Sequence, residues 1–343
     1  MSRLLDATLF AWQRDAAAAA LTAKSRWPHA LLIEGKRGIG KRAIALHFAQ
    51  ALLCETPRSD GRPCGTCASC GYARAGAHPD LRVIEPVERD EEGNETPVDE
   101  IVVDRIRELI DFTQLTAHRQ RAKVAVIIPA EAMNVAAANA LLKTLEEPPP
   151  ATYLMLVSHQ PGRLRATIVS RCQRFVAPEP GPAAATVWLA EQGAAEPELL
   201  LAQAGGAPLL ALGLSDPAVQ RERAFLLAAL EDPQRLSPIE VGVRIDGYLK
   251  EERKAVLGDL VYWLLTWSAD LAASATGGVP RYHPDRRDAL ARLGKRVARL
   301  ALFRYYRALL RQRELLGHPL VPRLVAEALL FEYRALFNDA HGS

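Results

Sequence analysis

The 343-residue sequence has neither a strong charge imbalance nor a long apolar run. Its 43 basic and 40 acidic residues give a net charge of only +3, which excludes a chain that is basic throughout, as a nucleic-acid or membrane binder would be. No apolar stretch approaches the roughly 18 residues of a membrane-spanning helix, and residues 1–15 lack a secretory signal pattern. No internal repeat is visible. We therefore expect a soluble, cytoplasmic protein.

Cysteine is scarce, and its odd number excludes a simple disulfide framework. Four of the five cysteines, Cys54, Cys64, Cys67 and Cys70, lie in the segment CETPRSDGRPCGTCASC. The two-residue spacers match the short loops of a four-thiolate zinc site, and a closed four-sulfur shell predicts a structural rather than a catalytic ion. The segment has almost no apolar residues, so a metal would replace a core. The alternative is four free thiols on a surface loop.

The first half of the chain alternates short apolar runs with helical patterns. HALLIEG at 29–35, DLRVIEP at 80–86, KVAVIIP at 123–129 and TYLMLVS at 152–158 predict strands. Helices are predicted at 41–53, 99–112 and 133–147, which indicates a parallel α/β sheet. The charged segment 89–97 predicts a hairpin or loop tip. After the linker PEPGP at 178–182, the remaining pattern is helical.

The segment GKRGIGKR at 35–42 is typical of a phosphate-binding loop. Its candidate ligands to phosphate are the backbone at Gly35, Gly38 and Gly40 and the charge of Lys41. The loop normally continues with a hydroxyl that binds magnesium, and Arg42 occupies that position, so a fixed positive charge replaces the cation.

The acidic residue that should end a following strand is also missing. KVAVIIP ends in Ile128 and Pro129, and the first carboxylate available is Glu131. Because two groups needed for phosphoryl transfer are absent, we predict no intrinsic ATP hydrolysis. The residues leave open whether the loop binds ATP or ADP without turnover or is a turn kept for packing.

The segment RLRATIVSRCQR contains four arginines and no acidic residue. They are Arg163, Arg165, Arg171 and Arg174. Such a cluster indicates a solvated face or a surface that meets an anionic partner.

These features together resemble the bacterial DNA polymerase III clamp-loader ATPases, which are AAA+ proteins. The resemblance depends on HALLIEGKRGIGK at 29–41, the cysteine insertion, NALLKTLEEPP at 139–149 and TIVSRC at 167–172. It implies a RecA-like AAA+ domain at residues 1–178 with a zinc-binding insertion at about 54–76. A helical lid at 179–213 and an all-α collar at 214–343 would follow.

In relatives, the SRC arginine reaches the ATP site of the neighbouring subunit, and Arg171 matches that arginine. The resemblance thus implies an arginine finger acting in trans, with the gamma/tau and delta subunits as partners. The sliding clamp and primed DNA would be reached through the assembled complex. A chain that keeps the zinc cysteines and SRC but lacks the catalytic groups fits a subunit that does not hydrolyse ATP. From NALLKTLEEPP we expect core leucines and two glutamates that cap or form salt bridges.

Residues 281–323 contain twelve basic and three acidic residues. Leu293, Val297 and Leu300 predict one apolar helix face there. No aromatic residue interrupts the arginines of 292–299, as a base-stacking platform would require, which favours packing against acidic neighbours over DNA binding. Two alternative functions stay open from the residues alone: a motor-type ATPase with an unusual site, and a zinc-containing nucleic-acid-binding protein.

Overall fold

The structure is a computed structural model that describes residues 8–22, 27–89, 95–119, 121–317 and 320–337. The chain divides into two compact units, residues 1–184 and residues 185–343. The predicted division into three domains, at 178 and 213, stays a prediction.

The first unit contains a parallel sheet of five strands in the order β2-β5-β6-β1-β7, which confirms the predicted α/β class. Its strands are β1 (Ala30–Glu34), β2 (Leu81–Ile84), β5 (Lys123–Ile127), β6 (Thr152–Ser158) and β7 (Gln173–Val176). The first four were predicted, whereas β7 was not, because two of its four residues are polar and three are exposed. A separate hairpin pairs β3 (Val87–Arg89) with β4 (Glu95–Pro97), and residues 90–94 of the predicted loop tip lie outside the described residues.

Apolar clusters cover both faces of this sheet. As a result, β1, β5 and β6 are buried along almost their whole length. Such runs are typical of parallel strands with helices on each side. The helices of this unit are α1 (Arg14–Thr22), α2 (Lys41–Leu53), α3 (Ala68–Arg74), α4 (Val103–Gln114), α5 (Val135–Glu146) and α6 (Ala166–Val169). The predicted helices at 41–53, 99–112 and 133–147 correspond to α2, α4 and α5.

The second unit is helical in the part of the chain that the structure describes, as predicted for the residues after 178. Its helices are α7 (Pro182–Glu191, which begins before the division), α8 (Pro197–Gln203), α9 (Pro208–Leu214), α10 (Pro217–Glu231), α11 (Pro238–Asp246), α12 (Arg253–Ala275), α13 (Arg287–Gly294), α14 (Arg299–Leu315) and α15 (Pro322–Ala335). One apolar cluster joins α7, α8 and α9, and a larger one joins α10 to α15. Trp267 is fully buried in the larger cluster, where its Nε1 donates a hydrogen bond of 2.9 Å to the Tyr333 hydroxyl.

The predicted apolar face at 293–300 is wrong. The helix ends at Gly294 and α14 begins at Arg299, so Leu293 and Val297 are buried while Leu300 is 63% exposed. The break between α13 and α14 changes the direction of the side chains, which a single helical period cannot represent.

Among the described helices, none alone is long and apolar enough to cross a membrane. The bent pair α8 and α9 does pass that test of length and composition when taken together.

Candidate functional site

The phosphate loop joins the carboxyl end of β1 to the start of α2. Gly35, Gly38 and Gly40 have φ angles of 150°, 82° and 90°, which favour glycine and let the backbone turn tightly. A β-carbon at Gly40 would come within 2.6 Å of the Phe10 ring. The structure therefore brings the predicted glycines and Lys41 to the N-terminal end of one helix, where phosphate groups bind in many proteins.

Lys41 is only 2% exposed, and its ammonium group bonds to the loop itself. Its Nζ donates to the Gly35 carbonyl at 2.7 Å and also to the Lys36 carbonyl. Burial lowers the pKa of Lys41 to about 8. An incoming phosphate would have to replace these internal bonds before it could use the lysine charge.

A short 3-10 turn, Ala11–Gln13, lies against the phosphate loop. Trp12 Nε1 and Gln13 Nε2 both donate to the Ile39 carbonyl, at 3.1 and 2.9 Å. The Phe10 ring stacks on Trp12 with centroids 4.8 Å apart. Sequence reasoning missed these residues, because nothing in the local pattern connects Trp12 to a loop 27 positions later.

Arg42 forms an ion pair with Glu85, the residue that follows β2. Arg42 Nε lies 3.2 Å from Glu85 Oε1, and both side chains are partly buried. The guanidinium that replaces the usual hydroxyl thus has a carboxylate partner of its own. Glu85 was not identified from the sequence, because β2 is not the strand whose end normally carries the acidic residue.

Glu131 also has internal partners. Its Oε1 accepts hydrogen bonds from the backbone N–H groups of His159, at 2.8 Å, and Gln160, at 3.0 Å. Burial and the nearby charge of Lys41 lower the pKa of His159 to about 4, so its imidazole is neutral near pH 7. Glu131 is the nearest carboxylate after β5. Through its two hydrogen bonds to backbone N–H groups, it holds the residues that follow β6 in place.

The four predicted cysteine ligands come together at the C-terminal end of α2. Their sulfur atoms all lie within 4.8 Å of one another, and the Cys54–Cys67 and Cys64–Cys70 pairs are each separated by 3.9 Å. A tetrahedral site with Zn–S bonds of about 2.3 Å has S–S edges of about 3.8 Å. The cluster therefore fits a four-thiolate zinc ion, which stays a prediction.

Backbone geometry around the sulfurs also suits thiolates. The Cys67 and Thr66 N–H groups donate to Cys64 Sγ at 3.2 and 3.4 Å. Hydrogen bonds from Thr56, Thr66 and Cys67 lower the pKa of Cys64 to about 5, whereas burial raises the pKa of Cys70. A bound zinc ion would supply the positive charge that ionises the buried thiols.

An ion pair attaches the cysteine segment to the loop between α4 and β5. Glu55, next to Cys54, accepts hydrogen bonds of 3.0 Å from both Ser69 Oγ and Arg119 Nε. The nearby His78 accepts the Asp80 N–H at 3.0 Å through Nδ1 and so belongs to a turn. The segment thus combines a cluster of sulfurs with a polar anchor that sequence reasoning missed.

Three of the four arginines in the segment 163–174, Arg165, Arg171 and Arg174, have partners from other parts of the fold. Arg174 forms two hydrogen bonds of 2.9 Å with Glu34 at the end of β1, and Arg165 Nη1 donates to Asn139 at 2.7 Å. These contacts explain how a stretch without acidic residues is tolerated at the surface.

Arg171 follows α6, and its partners lie on α5 and α6 rather than in the phosphate loop. Its Nε donates to Glu146 Oε1 at 2.7 Å, and its Nη1 donates to the Thr167 carbonyl at 2.8 Å. The side chain is 33% exposed, so part of the guanidinium stays at the surface. The expectation of salt bridges from the glutamates of LLKTLEEPP is confirmed for Glu146.

The sheet order and the phosphate loop between β1 and α2 are those of an AAA+ protein. A family model described as "DNA polymerase III, delta subunit" matches residues 16–180. The delta prime subunit of Pseudomonas aeruginosa DNA polymerase III is 44% identical over 229 residues, which are 66% of this chain and 67% of that protein. The Escherichia coli delta prime subunit is 37% identical over 209 residues, 60% of each chain.

The chain belongs to the family of bacterial DNA polymerase III delta prime subunits. It is also 32% identical to the Escherichia coli DNA polymerase III subunit tau over 257 residues, 70% of this chain and 38% of that protein. The alignments with the two delta prime relatives span about two thirds of their length or slightly less.

Proposed function

We propose that this chain is a clamp-loader subunit that completes an AAA+ ring without hydrolysing ATP and donates Arg171 to the ATP site of a neighbouring subunit. One contrast carries the proposal. In the phosphate loop, Lys41 is only 2% exposed and bonds to carbonyls of the loop itself, whereas the Arg171 side chain lies at the surface and is 33% exposed.

The loop supports binding better than catalysis. Its glycines and helix N-terminus can still cradle the phosphates of ATP or ADP once the Lys41 bonds are exchanged. Hydrolysis needs a magnesium ion and an oriented water. Arg42 replaces the hydroxyl ligand, and Glu131 already accepts two backbone N–H groups through one of its oxygens.

Arg171 suits an anionic partner in trans. A guanidinium presents five N–H donors in a rigid plane, which matches phosphate oxygens. Fingers of this kind stabilise the charge that develops on the transferred phosphoryl group and raise turnover by about 10³-fold or more. The partners of Arg171 inside its own chain leave it partly exposed.

The remaining parts of the proposal concern assembly. Similarity to a tau subunit supports a shared architecture for the subunits of one ring. In such a ring this chain would join gamma/tau and delta subunits, and it would act on the sliding clamp and primed DNA through the whole complex. Zinc at the cysteine cluster would be structural, because four sulfurs leave no open coordination position.

The decisive experiment is reconstitution of the Arg171→Ala chain with motor and delta subunits. If the motor subunits carry the same substitution in their own SRC segments, DNA-stimulated hydrolysis reports only the site served by this chain. We expect that rate to fall about 10³-fold, because the finger is lost while the complex assembles. Unchanged hydrolysis would remove the finger role.

Two controls accompany this test. Arg165→Ala changes a neighbouring arginine that is bonded to Asn139, and we expect hydrolysis within about twofold of the unmodified complex. The purified chain alone, with magnesium and ATP, should show no turnover. Turnover that Lys41→Ala abolishes would instead identify a motor-type ATPase.

A further inference from the structure

Glu146 ends α5, within the LLKTLEEPP segment, and its carboxylate contacts the guanidinium of Arg171. We propose that Glu146 is a positioning residue, which fixes the Arg171 side chain in the orientation needed at the neighbouring ATP site. The inference rests on the proposed finger role of Arg171 and adds the residue that holds the Arg171 side chain in position.

The hydrogen bonds of Arg171 leave it able to bind a further anion. Glu146 Oε1 accepts from Nε at 2.7 Å and also contacts Nη2. Nη1 donates to the Thr167 carbonyl at 2.8 Å and lies 3.3 Å from Ser170 Oγ. One N–H of Nη2 has no partner among the residues that the structure describes. A phosphate oxygen can therefore be bound while Glu146 stays in contact.

Glu146 stands on a rigid support. Asn134 Oδ1 caps the start of α5 by accepting the Ala137 N–H at 2.9 Å. Leu141 and Leu145 are buried on the inner face of the same helix. Because the helix is fixed at its start and along its length, a carboxylate at its end can define where a mobile side chain lies.

The physical benefit is preorganisation rather than stability. The two side chains are 33% and 48% exposed, so their ion pair adds little to the stability of the fold. An unrestrained arginine loses considerable rotamer freedom when it binds in one geometry. The contacts with Glu146 and Thr167 restrict that freedom before the neighbouring triphosphate arrives, so less entropy is lost in the transition state.

The test compares Glu146→Ala with Glu147→Ala in the reconstituted complex that reports only the site served by this chain. Glu147 is adjacent and exposed, and its side chain has no partner among the described residues. We expect Glu146→Ala to lower kcat about tenfold with the KM for ATP within about twofold, and Glu147→Ala to leave both unchanged. Glu146→Gln keeps an oxygen acceptor and should recover at least half of the lost activity on a logarithmic scale.

The Arg171→Ala background separates positioning from damage. If Glu146 acts through Arg171, adding Glu146→Ala there should cause no further loss. An equal tenfold loss in both backgrounds would overturn the inference. Full activity of Glu146→Ala, together with a large loss in Arg171→Ala, would also overturn it while the proposed function stands. No effect of Arg171→Ala would instead refute the finger itself.

A second measurement does not depend on hydrolysis. In the full chain alone, the Nε–H signal of Arg171 in a nitrogen-resolved NMR spectrum can be assigned by its absence in Arg171→Ala. We expect this signal to be visible and slow to exchange with solvent, and to be lost or shifted to the position of free arginine in Glu146→Ala. A signal identical in both chains would contradict the proposed contact.

Discussion

The two ends of helix α2 carry two loops of opposite character. At its N-terminus, the phosphate loop has positive groups, and these bond to carbonyls and a carboxylate of the same chain. At its C-terminus, the cysteine segment gathers four sulfurs and has few apolar residues to hold it in place. Lys41 and Arg42 in the phosphate loop already have partners within the chain, whereas the predicted zinc site in the cysteine segment needs a metal ion.

This difference shows that a sequence motif for ligand binding must be judged by which of its polar groups still lack a partner in the folded chain. The glycine pattern at 35–41 is that of a nucleotide site, yet its lysine is already engaged. The cysteine pattern at 54–70 gathers four thiols, two of them buried, and a metal ion would explain this arrangement best. Three experiments can sharpen or break the comparison.

The largest effect should follow loss of the metal. We expect Cys67→Ser, or treatment with a strong chelator, to lower the free energy of unfolding of the first unit by at least about 4 kcal/mol, since no apolar core replaces the metal. Chemical denaturation measures this change, and metal analysis should give one zinc ion per chain.

The matched control is Cys172→Ala, which changes the cysteine outside the cluster. Burial raises the pKa of Cys172 to about 12, so it is an inert thiol, and its loss should cost only about 1 kcal/mol. Equal effects of the Cys67 and Cys172 substitutions, or a metal content that does not depend on the cluster, would contradict the zinc site.

A smaller effect should follow from the buried charge of Lys41. Burial lowers its pKa in the folded chain to about 8, against 10.5 for a lysine side chain in water. Between these values the unfolded chain binds more protons than the folded chain, so stability should rise with pH across this window. Relative to Lys41→Met, we expect a gain of up to about 3 kcal/mol from pH 8 to 10.5.

Denaturation curves of the two chains at a series of pH values measure that difference. Lys143→Met, at an exposed position of α5, should give a difference that does not change with pH. A flat difference for Lys41 as well would mean that its ammonium group is not buried in solution, and the phosphate loop would then be open to ligands.

The smallest effect is expected for Arg42→Thr, which restores the hydroxyl of the usual loop. The Arg42–Glu85 pair is partly exposed, so its loss should change stability by no more than about 1 kcal/mol. ATP hydrolysis by the isolated chain should stay undetectable, because Glu131 is still bonded to backbone N–H groups. Turnover in Arg42→Thr would show that a single residue suppresses catalysis.

Much of the fold could be predicted because the informative residues are close together in the sequence. Buried strands such as β1 and β5 appear in the sequence as continuous apolar runs. Helix α2 is preceded by Gly40 and followed by Cys54. The grouping of the four cysteines was also predicted from spacing alone, since short loops limit where their sulfurs can lie.

The missed features depend on contacts between distant residues. The partners Glu85 of Arg42, Glu146 of Arg171 and Arg119 of Glu55 lie 25 to 64 positions away. No local period encodes such pairs, because they depend on the order of strands in the sheet. The apolar stripe through Leu300 failed for a related reason: the helix breaks where its period continues.

The indole of Trp12 gives the chain a natural optical probe. Its hydrogen bond to the Ile39 carbonyl places a fluorophore against the backbone of the phosphate loop. A nucleotide that rearranges this loop should alter the polarity around that ring, so the part of the intrinsic emission that is lost in Trp12→Phe can follow occupancy without an added dye.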